Sequence, residues 1–200
     1  MFWLDWLYPK KCLGCGKTGR YFCESCLKTV RKNDQIALSG TSLFQYQGII
    51  KTAIKALKYQ FLSNIETELG ELMDKGLSEE RLREFLELKP GVQAMPLYWQ
   101  RENWRGFNQA ELIAKILAKK FNLKIVDYLE RVKRTKPQAD LPRKERLRNV
   151  KNIFRVKPGK LTEVILVVDD VWTTGATMSE AMKTLKKAGV KQVWGLTLAR

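Results

Sequence analysis

Histidine is absent from the 200-residue sequence, which excludes every metal site that needs an imidazole ligand. Long apolar runs are absent too, since no stretch approaches the roughly 20 residues that a membrane-spanning helix requires. The opening residues 1–9 lack the basic start and long apolar centre of a signal peptide. Internal repeats and low-complexity tracts are also lacking. These absences predict a cytoplasmic protein without a membrane span.

Acidic residues are heavily outnumbered, with 21 Asp and Glu against 37 Lys and Arg, so the formal net charge is +16. The excess is concentrated in residues 131–160, which hold twelve basic residues against Asp140 and Glu145. A solvated charged surface is one interpretation of such a run. Its local density favours a segment that binds anions, such as phosphorylated ligands or nucleic acid.

Cysteine occurs four times, always near the N-terminus and in the spacing C-x2-C-x7-C-x2-C: Cys12, Cys15, Cys23 and Cys26. Each C-x2-C turn offers two thiolates, and two such turns complete a tetrahedral site without a position for water. The spacing therefore predicts a structural zinc site. Disulfides fit poorly with a cytosolic chain, whereas a rubredoxin-like iron site remains an alternative. We expect residues 1–33 to form a zinc ribbon with an aromatic N-terminal helix.

The rest of the chain, residues 34–200, is predicted to be one α/β domain, with a helical lead-in over 34–90 and a core over 91–200. Ile50, Ala53, Ile54 and Leu57 recur at helical spacing. After residue 91 strands and helices alternate, which is typical of a parallel sheet flanked by helices. The predicted strands are 92–97, 125–132, 153–156, 164–168 and 193–198.

Two adjacent carboxylates, Asp169 and Asp170, follow the continuously apolar strand 164–168. We call them the acid pair, and residues 173–177, which follow, the phosphate loop. The start of a helix offers free N–H groups and a positive dipole end to a phosphate. The carboxylates can accept hydrogen bonds from a sugar diol or help to hold a hydrated Mg²⁺. The pattern predicts a sugar-phosphate site, with a capping box from Thr177 to Glu180 opening the helix.

Residues 164–177 resemble the phosphoribosyl pyrophosphate (PRPP) motif of the type I phosphoribosyltransferases. The resemblance implies that Asp169 and Asp170 hold the ribose and serve as the catalytic pair, with Mg²⁺ accompanying PRPP. Arg101 and Arg105 follow the first core strand, where the related enzymes place a pyrophosphate loop. The resemblance assigns the 5′-phosphate to the phosphate loop, namely Thr173, Thr174, Gly175, Ala176 and Thr177.

A wider resemblance covers nearly the whole chain. The two C-x2-C pairs, residues 95–97, 105–111, 138–139 and 146–150, and the acid pair together are similar to the ComF/ComFC competence proteins. This resemblance implies a role in natural transformation and the handling of single-stranded DNA. It also implies a helicase-like ATPase and a recombination mediator as partners, and leaves open a location near the inner face of the membrane.

Two positions depart from the family pattern. Trp172 stands where a smaller residue is commoner, so we expect its ring to crowd the phosphate loop. Residues 98–100, Tyr-Trp-Gln, replace the usual stretch after Pro-Leu, which leaves Arg101 and Arg105 as the pyrophosphate donors.

The basic segment 134–150 lies between two predicted strands, where related enzymes carry a lid that closes over the reaction. No segment suggests a site for a nucleobase or amine acceptor, and no cysteine outside the cluster can act as a nucleophile. Transferase and nucleic-acid-binding module therefore remain competing hypotheses, and docking of a protein partner by the N-terminal aromatics is a third. The residues assigned to the lid or to DNA are Lys58, Arg143, Lys144, Arg146 and Arg148.

Overall fold

A five-stranded parallel sheet forms the centre of the molecule, in the strand order β1-β7-β6-β2-β3. The computed structural model describes residues 9–34, 39–59, 65–100, 106–134 and 150–200. Beside the main sheet, β4 and β5 pair antiparallel. The strands are β1 (Gly40–Phe44), β2 (Gly91–Ala94), β3 (Ile125–Val126), β4 (Leu129–Arg131), β5 (Phe154–Val156), β6 (Val164–Val171) and β7 (Gln192–Ala199).

Helices flank this sheet, which confirms the predicted fold class. They are α1 (Glu24–Leu27), α2 (Gly48–Tyr59), α3 (Ile65–Gly76), α4 (Glu80–Glu87), α5 (Gln109–Phe121) and α6 (Ala176–Lys187). The predicted apolar face of α2 is confirmed, because Ile50, Ala53, Ile54 and Leu57 are all buried. Among the described residues, no helix is long and apolar enough to span a bilayer.

Strand β6 lies in the middle of the sheet, between β7 and β2. Its residues Ile165, Leu166, Val167 and Val168 have no exposed surface, as expected for a parallel strand covered on both faces. Parallel pairing on both sides fixes the register of β6, with Val168 opposite Ala94 and Asp169 opposite Thr197. The end of β6, which pairs with β7 as far as Val171, therefore has a defined position at the carboxyl edge of the sheet.

The predicted strand over 125–132 is wrong, because the chain turns after Val126 and continues as β4 in the second sheet. The buried side chain of Gln93 stabilises this turn by hydrogen bonds to its backbone. Its Oε1 accepts the N–H groups of Tyr128 at 2.7 Å and Leu129 at 3.2 Å. A backbone amide that is bonded to a side chain of β2 is not available for a ladder that continues β3.

The described part of the ribbon packs onto the α/β domain. Tyr21 and Phe22 are buried in the shared core, and Phe22 donates its N–H to Glu68 of α3 at 3.1 Å. Lys32 forms an isolated antiparallel bridge with Phe44 of β1. The boundary between residues 33 and 34 stays a prediction, and the aromatic helix of residues 1–8 lies outside the described residues.

Candidate functional site

The acid pair lies near the end of strand β6, at the carboxyl edge of the sheet. The backbone N–H of Asp170 donates to Oδ1 of Asp169 at 2.8 Å, which orients that carboxyl. Asp170 forms an ion pair with Lys58, from the last turn of α2. Both partners are largely shielded, with 25% of the Lys58 side chain and 13% of the Asp170 side chain exposed. Helix α2 therefore supplies a cation directly to the acid pair.

Asp169 is the more perturbed member of the pair. Burial, and then the negative charge of Asp170, raise the pKa of Asp169 to about 8, against the opposing effects of the Asp170 amide and Lys58. Near neutral pH the protonated form of Asp169 is therefore favoured. A protonated carboxyl can donate as well as accept hydrogen bonds, and both kinds of bond can be made to a sugar diol.

The phosphate loop connects β6 to α6 through a sharp turn. Gly175 adopts a left-handed conformation with φ of 76°, which glycine accepts without steric cost. Helix α6 begins at Ala176, and the amide of Ser179 already bonds to Gly175 O at 2.8 Å. The predicted capping box at Thr177 is therefore wrong, since the helix starts earlier and Gly175 is its N-cap. The positive end of α6 still lies at the loop, as a phosphate site needs.

The indole of Trp172 lies beside the phosphate loop and above two paired glycines. Gly40 of β1 and Gly195 of β7 are register partners. A Cβ at Gly40 would lie 2.6 Å from Cζ3 of Trp172, and one at Gly175 would lie 2.4 Å from its Nε1. The ring does touch the loop, as predicted, and glycine at these positions provides the space that it occupies.

Two buried side-chain amides at the start of α5 join that helix to this edge of the sheet and to α2. Asn108 donates from Nδ2 to Met95 O at 3.0 Å and accepts the N–H of Ala110, so it caps α5. Gln109 donates to Leu57 O at 3.3 Å, which ties the start of α5 to the end of α2. Sequence reasoning did not assign this role to Gln109. The only signal was its place in the motif of residues 105–111.

The structure brings together part of the predicted site. Asp169, Asp170 and the phosphate loop adjoin one another, and Lys58 reaches the same place from α2. The pairing of Lys58 with Asp170 was not anticipated, because helical spacing of lysines indicates a face but not its neighbour. Six predicted residues lie outside the described residues and stay predictions: Arg101, Arg105, Arg143, Lys144, Arg146 and Arg148.

The four cysteine sulfurs lie within 4.8 Å of one another, so these residues could hold a metal ion. The hydrogen bond with Cys23 raises the pKa of the Cys26 thiol to about 12. Burial opposes ionisation of Cys12, but backbone hydrogen bonds lower the pKa of that thiol to about 6. A low pKa favours the thiolate, which is the form that binds metal. The arrangement fits a structural zinc ion, and such an ion would have no open coordination position here.

Comparison with known families defines the class of this protein. The sequence model of the Phosphoribosyl transferase domain matches residues 108–200. The matched region begins at the cap of α5 and contains the acid pair and the phosphate loop. The chain therefore carries a phosphoribosyltransferase domain, in agreement with the parallel sheet and the position of the acid pair.

The particular family follows from full-length relatives. Competence protein F of Haemophilus influenzae is 32% identical over 197 residues, which cover 94% of this chain and 84% of the relative. Competence protein ComFC of Streptococcus pneumoniae is 29% identical, covering 94% and 87%. DNA utilization protein YhgH of Escherichia coli K12 is 32% identical, covering 76% and 68%. The chain belongs to this family of competence and DNA-utilization proteins.

Proposed function

We propose that the protein binds PRPP with Mg²⁺ and handles single-stranded DNA during natural transformation. One observation carries the ligand proposal: the acid pair lies at the carboxyl end of the central strand, shortly before a glycine turn and a helix N-terminus. A diol-binding pair and a phosphate-binding turn that are separated by two residues of the chain match the two ends of a ribose 5-phosphate.

In this proposal the acid pair and the phosphate loop bind different groups of the ligand. Asp169 and Asp170 hold the ribose hydroxyls, and the phosphate loop holds the 5′-phosphate with backbone N–H groups and hydroxyls. Lys58 offsets the charge of Asp170, so that a polyanionic ligand meets less repulsion. Mg²⁺ would neutralise the pyrophosphate, and Arg101 and Arg105 are the proposed side-chain donors to that group.

The DNA part of the proposal is supported by the positive net charge and by the similarity to known proteins. A net charge of +16 favours a polyanionic partner. The relatives include proteins named for competence and for DNA utilization. We propose a cytoplasmic location, and a helicase-like ATPase and a recombination mediator as protein partners. Lys58 and the basic residues between positions 143 and 148 remain the proposed lid or DNA contacts.

Calorimetric titration with PRPP and Mg²⁺ tests the ligand proposal. We expect saturable heat from the wild type and at least a tenfold weaker affinity for Asp170→Asn, because a hydrogen bond to a charged group contributes about 1.5–3 kcal/mol. Asp127→Asn is the control, since Asp127 is 73% exposed and pairs with Lys157. Absence of heat with the wild type would remove the PRPP proposal. Repeating the titration with a single-stranded oligonucleotide shows whether the two ligands are coupled.

An active phosphoribosyltransferase acting on a nitrogenous acceptor is the second candidate function. The proton held by Asp169 near neutral pH favours it, because such a group can exchange a proton with a reacting acceptor. Release of pyrophosphate from PRPP, tested with a panel of nucleobases and amines, decides between transfer and binding. Turnover that survives Asp169→Asn would exclude this role for Asp169.

A further inference from the structure

An open groove of about 690 Å³ runs along the outer side of helix α6. Its basic wall consists of Lys183, Lys186 and Lys187, which are all exposed and share one side of the helix. Within the described part of the chain, no carboxylate forms an ion pair with any of the three. Three uncompensated charges on one helix face set this groove apart from an ordinary surface of mixed charge.

Two other grooves among the described residues show the contrast. The groove beside β3 has a volume of about 490 Å³, and its basic residues are balanced by Glu111, Asp127 and Glu130. The groove between α4 and the end of α5 contains Asp74 and Glu87. The described lining of the α6 groove contains no acidic residue. Its charge therefore selects a polyanion as the occupant.

The other wall of the groove favours unpaired nucleotides over other polyanions. The indole of Trp172 lines it, together with the hydroxyl-bearing residues Ser39, Thr174 and Ser179. An aromatic ring beside a row of cations is the combination that binds single strands, because unpaired bases stack on the ring while cations follow the backbone. From Ala176 to Lys187 the helix rises roughly 16 Å, a length of about five stacked nucleotides.

We propose that the α6 groove binds a single strand of nucleic acid, with Lys183, Lys186 and Lys187 on the phosphates and Trp172 against a base. The proposal rests on the proposed function and adds a binding surface outside the predicted basic segment 134–150. Thr174, Gly175 and Ala176 belong both to this groove and to the phosphate loop. A strand in the groove and a phosphorylated sugar at the loop should therefore weaken each other's binding.

Fluorescence anisotropy with a labelled 20-nucleotide oligothymidine, titrated over a range of salt concentrations, tests the lysines. The test variant is the triple substitution Lys183→Ala, Lys186→Ala and Lys187→Ala. Each phosphate contact contributes about 0.7 to the salt dependence of log K for a single strand. We expect the magnitude of the slope to fall by about 2, and the affinity to fall at least tenfold at low salt.

A matched triple variant, Lys75→Ala, Lys119→Ala and Lys124→Ala, removes the same charge elsewhere. These lysines are exposed, lie outside the α6 groove, and have no ion-pair partner among the described residues. We expect them to retain most of the wild-type slope. Equal losses in the two triple variants would overturn the proposal, because general charge and not the groove would then bind the strand.

Trp172→Leu provides a second, independent variant. Stacking of one base is worth about 1–3 kcal/mol, so we expect at least a fivefold loss of single-strand affinity with no change in the salt slope.

Equal wild-type affinity for a duplex of the same length, or for a polyglutamate peptide, would contradict the assignment of the occupant. If the wild type binds the oligonucleotide and the groove variants bind equally well, only this proposal fails. If the wild type does not bind it, the proposed DNA function fails as well.

Discussion

In residues 9–34 the buried hydrophobic side chains are those of Cys12, Tyr21 and Phe22, whereas the eight residues of β6 alone bury four. The ribbon therefore has little core of its own. The acid pair, by contrast, extends a strand that is paired on both sides and covered on both faces. A cluster of thiolates needs an ion to hold it together, but the end of a central strand is positioned by the fold itself.

The two regions also differ in how charge is used. Where the ribbon meets the domain, Glu68 of α3 is a buried acceptor that joins the two, since it accepts the N–H of Phe22 and faces Lys10 and Arg20. At the end of β6, Asp169 is held in an environment that opposes its ionisation. Glu68 therefore helps to dock the ribbon, whereas Asp169 lies in a candidate ligand site that disfavours its ionised form. Four experiments sharpen or break this comparison.

Removal of the metal should cause the largest loss of folding stability, and this loss should be confined to the ribbon. Structural zinc contributes about 10–16 kcal/mol to the folding of small zinc domains, far more than three buried side chains can replace. We expect chelation to abolish hydrogen-exchange protection in residues 9–34 and to leave β6 and β7 protected. The released metal, identified by mass spectrometry, distinguishes zinc from iron. Loss of protection in β6 at the same rate would show that the two regions are not independent.

Truncation of Glu68 should have the next largest effect. Glu68 is 8% exposed in its side chain, so Glu68→Ala leaves the buried N–H of Phe22 without its acceptor and Lys10 without its partner, and should cost about 3–5 kcal/mol. Glu71 pairs with the same Arg20 but is 53% exposed. Glu71→Ala should therefore cost less than about 1 kcal/mol. Denaturant unfolding of both variants gives the values, and similar losses would show that Glu68 does not dock the ribbon.

Asp169→Asn should change the pH dependence of stability. The pKa of Asp169 is about 8 in the folded protein and near 3.8 when unfolded, so its contribution is fully present below pH 4 and is lost as the pH rises towards 8. Asparagine cannot ionise. We expect the variant to gain stability relative to the wild type across this range, by at least about 1 kcal/mol, and the difference to level off above pH 8.

Denaturant unfolding of the ligand-free protein at several pH values measures this difference. Asp127→Asn, on an exposed residue, should stay within about 0.5 kcal/mol of the wild type throughout. A constant difference between wild type and Asp169→Asn from pH 4 to pH 8 would contradict the assigned charge state. It would also remove the contrast between Glu68, which docks the ribbon, and Asp169, whose ionisation is disfavoured.

Much of the fold could be predicted from the sequence, because local patterns determine it. The continuous apolar run of β6 indicates a strand buried on both faces, and the periodic residues of α2 indicate its buried side. The predicted strand 125–132 failed for a reason that no local pattern contains. The side chain of Gln93, more than 30 residues earlier in the chain, bonds the backbone there and turns it into a second sheet.

The same distinction between local sequence pattern and long-range packing applies to the candidate site. The acid pair and the phosphate loop lie within nine consecutive residues, 169–177, so the local sequence alone could indicate them. The partners of the acid pair come from distant elements, and their positions depend on packing. Lys58 reaches Asp170 because Gln109 and the buried face of α2 fix that helix against the sheet. The α6 groove was likewise not predicted, since Lys183, Lys186 and Lys187 look like ordinary exposed residues until their surroundings are known.

The smallest expected effect concerns the packing that supports the phosphate loop. A methyl group at Gly40 would meet Cζ3 of Trp172 at 2.6 Å and the carbonyl oxygen of Gly195 at 2.7 Å. Because backbone cannot move aside easily, Gly40→Ala should cost about 1–3 kcal/mol and displace the indole from the loop. Gly70→Ala is the control, since its methyl group would meet Ile116 at an ordinary 3.6 Å within helix α3. That variant should gain about 0.5–1 kcal/mol from higher helix propensity. Thermal unfolding measures both changes, and a neutral Gly40→Ala would mean that packing of Trp172 does not hold the loop in place.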